Sequence, residues 1–343
     1  MMDRVLLIAP QWIGDAVMSE PLVAALSAQG SVVTVAALPW VAPVYRAMPR
    51  VASVIELPFA HGRLDLGLRW RIGRSWRQHY DAAYVLPNSL KAALMPWFAG
   101  IATRVGYEGE SRWGLLNRRL PNPGGRPPMV PFYLALAGAA DGPAPRPVLK
   151  MPAERLAAAL VAASQSQLEQ AVLQPGRYWA FAPGAEYGPA KCWPAAHYAQ
   201  LAQALHARDG LPVLLLGSGK EAALAAGIQA AAPGACLNLI GRTTLDQAMA
   251  LIAGARGMVS NDSGLMHVAA AFGVSQVAVF GSTSPEHTPP LNPRARVLWL
   301  KEELKLDCAP CFDRQCRFGH TRCLTELSPS RVQAALDEAL LAQ

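Results

Sequence analysis

A chain of 343 residues exceeds what one ordinary hydrophobic core encloses and predicts two domains. Hydrophobic residues make up 52% and charged residues 16%, which excludes a disordered chain. No apolar run approaches the roughly 20 residues of a membrane-spanning helix. The net charge of +7 lies wholly in residues 1–150, with 16 Lys and Arg against 9 Asp and Glu, whereas residues 151–343 carry 15 of each.

The first residues carry charge beside a very short apolar run that leads into a turn. This reads as a first β-strand, not a secretory signal, and predicts a cytoplasmic protein. Strands are predicted at residues 4–9, 31–37, 51–57, 82–86 and 103–107, with helices starting near Asp15, Trp40, Asp65 and Ser89. In the third of these, Arg63, Arg69, Arg71, Arg74 and Arg77 follow one amphipathic stretch beside Trp70 and Trp76. Lys91 and Arg104 flank the apolar segment 92–102. A Pro- and Gly-rich stretch, 121–147, with a short helix near 132–139, reads as the connection between domains.

The second half opens with an Ala-rich helix over 152–172. Strands follow at 178–182, 212–216, 237–240, 257–260, 276–280 and 297–300. The last helix starts at Ser328 as N-cap with Pro329 in the first helical position. Short β-branched runs alternating with helical patterns predict an α/β protein with parallel sheets. Two doubly wound domains, 1–150 and 151–343, follow, with the ligand in a cleft at the carboxyl ends of their strands.

Three strand ends carry candidate chemistry. After the first strand, Trp12-Ile13-Gly14-Asp15 turns tightly into a helix, and Asp15 is either a helix cap or a carboxylate able to take a proton from a hydroxyl. No GxGxxG fingerprint follows that strand, which disfavours a dehydrogenase. In the second half, Pro183-Gly184-Ala185-Glu186-Tyr187 precedes Lys191-Cys192-Trp193-Pro194. Lys191 is either a phosphate contact or a solvated surface lysine. The third segment, Ser260-Asn261-Asp262-Ser263-Gly264-Leu265-Met266-His267, runs from a strand into a helix through small polar residues. It reads as a helix N-terminus able to bind phosphate, with Asp262 as a possible N-cap and His267 as either a ligand contact or a packed core residue. Glu221, after Gly217-Ser218-Gly219, is placed to bind ribose hydroxyls, and Gly281-Ser282-Thr283 ends another strand nearby.

Cys308, Cys311, Cys316 and Cys323 crowd together beside His320. They are either a structural zinc set or reduced thiols in a compact loop, and are expected to be remote from the chemistry.

Together, Trp12–Asp15, Pro87-Asn88-Ser89-Leu90-Lys91, Lys191–Pro194, Asn261–His267 and the tail Arg317-Phe318-Gly319-His320 resemble the bacterial ADP-heptose:lipopolysaccharide heptosyltransferases of glycosyltransferase family 9. The Pro87–Lys91 segment and the overall length are most like the heptosyltransferase II branch. The resemblance implies a GT-B fold, two Rossmann-like domains facing each other across a cleft, with acceptor on the first and nucleotide sugar on the second. It implies inverting transfer of L-glycero-D-manno-heptose from ADP-heptose onto the first heptose of inner-core lipopolysaccharide, with no metal or cofactor. Asp15 then matches the catalytic base and Lys191 the phosphate-contacting lysine. Asp262, Ser263, Gly264, Leu265 and His267 match the pyrophosphate and sugar site, Glu221 the ribose acid, and Thr243 lies near the adenine position. Glu186 and Tyr187 stand where related enzymes carry hydroxyl residues. Ser89, Lys91, Arg71 and Arg74 are expected on the acceptor side, on a basic face in peripheral contact with the inner leaflet of the inner membrane. The alternatives are heptosyltransferase I, another GT-B nucleotide-sugar transferase, or a non-catalytic nucleotide- or nucleic-acid-binding protein. The Arg and Trp interleaving over 63–77 argues against nucleic acid.

Overall fold

Strands buried on both faces read as near-continuous apolar runs, the condition for a parallel sheet sandwiched by helices. In the computed structural model, which describes residues 3–60, 63–165 and 172–342, such runs build two separate sheets. The chain divides into two units, Met1–Leu149 and Lys150–Gln343.

The first unit contains β1 (Arg4–Ile8), α1 (Ile13–Met18), α2 (Glu20–Ala28), β2 (Val32–Ala37), α3 (Ala42–Arg46), β3 (Val51–Glu56) and α4 (Leu66–Ser75). It continues through β4 (Ala82–Val85), α5 (Leu90–Phe98), β5 (Thr103–Tyr107), β6 (Arg118–Leu120) and α6 (Met129–Ala135). All strands pair in parallel, in the order β3-β2-β1-β4-β5-β6. The order reverses between β1 and β4, so the loops leaving these two strands part to opposite faces and leave a crevice at their carboxyl ends. Leu6, Ala83, Val85, Ala93 and Met95 are buried in the core beneath it.

The second unit contains α7 (Ala153–Gln165), β7 (Trp179–Ala182), α8 (Ala195–Asp209), β8 (Val213–Leu215), α9 (Ala222–Ala231), β9 (Cys236–Asn238) and α10 (Leu245–Ala253). It ends with β10 (Gly257–Asn261), α11 (Gly264–Phe272), β11 (Gln276–Phe280), β12 (Ala295–Trp299), α12 (Arg322–Thr325) and α13 (Pro329–Leu341). Its strand order, β12-β11-β10-β7-β8-β9, repeats that of the first unit, with the reversal between β7 and β10. Trp179, Phe181, Trp193, Tyr198 and Leu201 are completely buried in its core.

Three expectations need correction, and one strand is new. The helix near Asp15 is two helices, broken at Ser19, whose hydroxyl donates to the Ala16 carbonyl at 2.7 Å and competes with the helical ladder. The short helix expected near 132–139 starts earlier, at Met129. The helix expected over 152–172 is described to Gln165; 166–171 lie outside the described residues, and Val172 is not helical. The strand β6 was not anticipated, because Arg118-Arg119-Leu120 is a charged three-residue edge with no apolar pattern. Among the described residues no helix is long and apolar enough to cross a membrane.

Candidate active site

The crevice of the first unit is framed by the loops after β1 and β4. Gln11, Pro87, Ser89 and Lys91 line one cavity there, with Phe59 and Arg69 on its wall. Ser89 is the N-cap residue of α5 but makes no capping hydrogen bond, leaving its hydroxyl for another partner. The loop holding it is pinned from below by Arg112, which is 1% exposed. Arg112 donates to the Pro87 carbonyl at 2.8 Å and to Asn88 Oδ1 at 3.1 Å, and also bonds the Tyr107 carbonyl. Burial lowers its pKa. Nothing in the residue pattern singled out Arg112, since its partners are mostly main-chain carbonyls far away in sequence.

Arg69 also departs from expectation. It is buried, with its guanidinium 3.9 Å from the centroid of Phe59, and it donates to the carbonyls of Leu64 and Lys91 at 2.6 and 3.1 Å. It braces α4 against α5 and does not belong to an exposed basic face. Trp76 is buried as well, whereas Arg71, Arg74 and Trp70 are exposed, with Arg74 lying over the Trp70 ring. Arg71 and Arg74 are not part of the cavity that holds Ser89 and Lys91.

Asp15 occupies the third position of α1 and does not cap it; the N-cap is Trp12, with no side-chain hydrogen bond. The carboxyl is partly buried, and burial pushes its pKa up to about 6. Tyr45 and Tyr133 are buried close to it. Burial raises both phenols, and the Asp15 charge pushes them further in the same direction. The Tyr45 hydroxyl is 3.0 Å from that of Ser19. A carboxylate poised in this range is ionised at neutral pH yet basic enough to accept a proton from an alcohol in a transition state.

In the second unit the crevice lies between the loops after β7 and β10, and Asn261 joins them. Completely buried, it accepts from the Trp193 amide at 2.9 Å and from the Tyr198 hydroxyl at 3.1 Å, and donates to the Pro183 carbonyl at 2.6 Å. Its signal in the sequence is the polar pair Ser260-Asn261 closing a strand that begins apolar.

Lys191 ends a single 3-10 turn, Pro189–Lys191. Its ammonium meets Asp262 Oδ2 at 2.5 Å, and both side chains are largely buried. Thr283 donates to the same carboxylate oxygen at 2.7 Å. Asp262 is therefore the counter-ion of Lys191 and not the N-cap, and Lys191 is not a solvated surface lysine. The N-cap of α11 is Ser263, whose buried Oγ has no hydrogen-bond partner. Gly264 and Leu265 begin the helix, and the free amides of that first turn with the Ser263 hydroxyl make a site for an anion. His267 is buried; desolvation chiefly, with help from the Lys191 charge, lowers its pKa to about 4 against the opposing pull of Asp262. It is neutral near pH 7.

The loop after β8 contributes Glu221. Its Oε2 accepts from the Ser218 amide at 2.6 Å and the Ser218 hydroxyl at 3.1 Å, closing a capping box. Its carboxyl lies against Gly184 and Gly217, where any Cβ would overlap it. Burial raises the Glu221 pKa, and the Glu186 charge adds to the shift. Glu186 itself is exposed and pairs with Lys220. Thr243 precedes Thr244, the N-cap of α10, in a loop that touches the Gly217–Glu221 turn where the Gly241 amide donates to the Gly217 carbonyl at 3.1 Å.

The Cys-rich segment, expected to be remote, packs directly on this site. The Tyr187 hydroxyl donates to the Phe312 carbonyl, the Ala190 amide to the Arg314 carbonyl at 3.1 Å, and the Phe312 amide to the Ser282 carbonyl at 2.7 Å. Cys308, Cys311, Cys316 and Cys323, all free thiols, line one small cavity behind it with His320, whose Nδ1 accepts from the Arg322 amide at 3.1 Å. Among the described residues no three His, Cys, Asp or Glu side chains are gathered so as to hold a metal ion.

The profile of glycosyltransferase family 9 (heptosyltransferase) matches residues 69–322. The chain belongs to glycosyltransferase family 9. It is 42% identical to lipooligosaccharide heptosyltransferase 2 of Haemophilus influenzae, over 98% of this chain and 99% of that protein. With lipopolysaccharide heptosyltransferase 2 of Escherichia coli the identity is 40%, over 98% and 99%. The solved E. coli ADP-heptose lipopolysaccharide heptosyltransferase II superposes with a TM-score of 0.83 at 37% identity, over 98% of each chain. This family 9 chain is thus a glycosyltransferase whose two doubly wound units are the pair of Rossmann-like domains of the GT-B fold.

Proposed function

We propose that this family 9 enzyme is a lipopolysaccharide heptosyltransferase of type II, moving L-glycero-D-manno-heptose from ADP-heptose to the first heptose of the inner core. The observation that carries this reading is full-length similarity, near 40% identity, to four proteins named lipopolysaccharide or lipooligosaccharide heptosyltransferase 2. In the proposed reaction, Asp15 takes the proton of the acceptor hydroxyl as its oxygen bonds to the anomeric carbon. The bond from that carbon to the phosphate breaks on the opposite face, inverting the centre, and its electron pair leaves with ADP. The raised Asp15 pKa supports the role of base.

The first turn of α11, the unpartnered Ser263 hydroxyl and Lys191 support a donor site at the β7–β10 crevice. On this reading Gly264, Leu265, His267, Glu186 and Tyr187 shape that site, Glu221 offers its Oε1 to the ribose, and Thr243 borders the adenine. Ser89 and Lys91 receive the acceptor sugar, and exposed Arg71 and Arg74 meet anionic groups where the enzyme touches the inner leaflet from the cytoplasm. Domain 1–150 thus serves the acceptor and 151–343 the nucleotide sugar, with no cofactor and no nucleic-acid partner.

The deciding assay measures ADP release with ADP-heptose and either heptosyl-Kdo2-lipid A or Kdo2-lipid A lacking heptose. Turnover only with the first is expected; equal or exclusive use of the second would make the enzyme a type I transferase.

A further inference from the structure

The donor crevice holds fewer free positive charges than its residues suggest. Lys191 is neutralised by Asp262, and Lys220 by Glu186. His267 carries no charge near pH 7. A nucleoside diphosphate carries about two negative charges within the sugar nucleotide and gains another when the glycosidic bond breaks. Backbone amides and one hydroxyl offset part of this, and a cation free of any carboxylate offsets more.

One such cation overhangs the site. Arg314 lies on the irregular crossing from Phe312 that is bonded to the donor loop. Its carbonyl accepts from the Ala190 amide and comes so close to Gly188, at a φ of +151°, that any Cβ there would collide with it. The backbone of Arg314 is therefore fixed one residue from Lys191. Its guanidinium lies 5.3 Å from the centroid of the Tyr187 ring, the same distance at which the Lys191 ammonium approaches that ring. The two cations share one aromatic side chain, yet only Lys191 has a carboxylate within ion-pair reach among the described residues. The Arg314 side chain is exposed, with five donors on a planar fork suited to phosphate oxygens.

We propose that Arg314 is a further donor-binding residue, whose guanidinium binds the diphosphate and stabilises the charge on departing ADP. The inference rests on the donor site assigned above. When the bond from the anomeric carbon to phosphate oxygen breaks, the electron pair moves to that oxygen. Arg314 remains protonated throughout and accepts no proton.

The test uses the full-length enzyme and four forms: wild type, Arg314→Gln, Arg314→Lys and, as a control on the same loop, Arg317→Gln. ADP affinity is measured by calorimetry, adenosine binding by ligand-observed NMR, and turnover with ADP-heptose and heptosyl-Kdo2-lipid A. Arg314→Gln is expected to weaken ADP by roughly 10- to 100-fold, the scale of a lost hydrogen bond to a charged group. Its adenosine binding and melting temperature should stay those of wild type. Arg314→Lys should recover part of the ADP affinity, and Arg317→Gln should match wild type. ADP affinity in Arg314→Gln within twofold of wild type would overturn the proposal while leaving the donor site in place. A parallel loss of ADP and adenosine would also overturn it, since that is the mark of a disturbed loop. Wild-type enzyme that binds no ADP would remove the donor site and the proposal together.

Discussion

At Asp15, burial sets stability against the role of base proposed above. Its pKa is raised by burial from an ordinary carboxyl value to about 6. The folded state therefore binds the proton more tightly than the unfolded chain. The stability this contributes is fully present below pH 4 and is lost as pH rises through 6. At neutral pH the charged carboxylate is a local cost, on the order of 1–3 kcal/mol. Asp15→Asn should therefore raise the melting temperature at pH 7.5 while lowering kcat about 100- to 10,000-fold. Differential scanning fluorimetry and a turnover assay would check both. In wild type, kcat/KM should decline below about pH 6 as Asp15 becomes protonated, and a flat acid limb would remove it as base. Lys191→Ala has a different signature: it leaves the buried Asp262 without its cation, so it should lose both ADP affinity and thermal stability. Asp15, Lys191 and the 262–267 run stand out in the sequence as candidates because charged and small residues sit at the ends of apolar strands. The ion pair joining Lys191 to Asp262 does not, because 71 residues separate the partners.

At the scale of the element, the loops after β7 and β10 work as one piece because Asn261 ties them. Asn261→Ala would strand the Trp193 amide and the Tyr198 hydroxyl in the core. A loss on the order of 2–4 kcal/mol is expected in chemical denaturation, together with weaker ADP binding. Asn261→Asp keeps the acceptor oxygen but not the donor to Pro183, and should fall between. The strands themselves were plain from their β-branched runs, and the last helix from Ser328 and Pro329. The break at Ser19, the strand at Arg118–Leu120 and the brace of Arg112 were hidden, for related reasons. Each depends on main-chain partners or on an edge with a single apolar residue, and neither leaves a period in the side chains.

For the whole molecule, the same strand order in both units puts a crevice at the same topological address twice, at the reversal between the first and fourth strands of each sheet. The net charge is confined to residues 1–150. With Arg69 buried, the exposed part of the Arg- and Trp-containing stretch is led by Arg71, Arg74 and Trp70. Reversing Arg71 and Arg74 to Glu should raise the KM for vesicle-borne acceptor and leave ADP affinity unchanged. Each basic residue near an anionic surface contributes about 1 kcal/mol. Salt should produce the same change in wild type, since exposed charges are screened beyond roughly 8 Å at physiological ionic strength. A reversed variant that handles the lipid acceptor normally at low salt would reduce this face to a solubility device.

The crossing of residues 312–314 over the loop after β7 gives the two segments a shared opening. The amides of Ala190 and Phe312 are both engaged in this crossing, one donating to Arg314 and the other to Ser282. Segments stitched in this way open as a unit, and their protons exchange with solvent through that joint opening, with one opening free energy. Deuterium uptake at 188–191 and at 312–314 should therefore rise and fall together across variants, and bound ADP should slow both, including the half more than a hundred residues further along the chain.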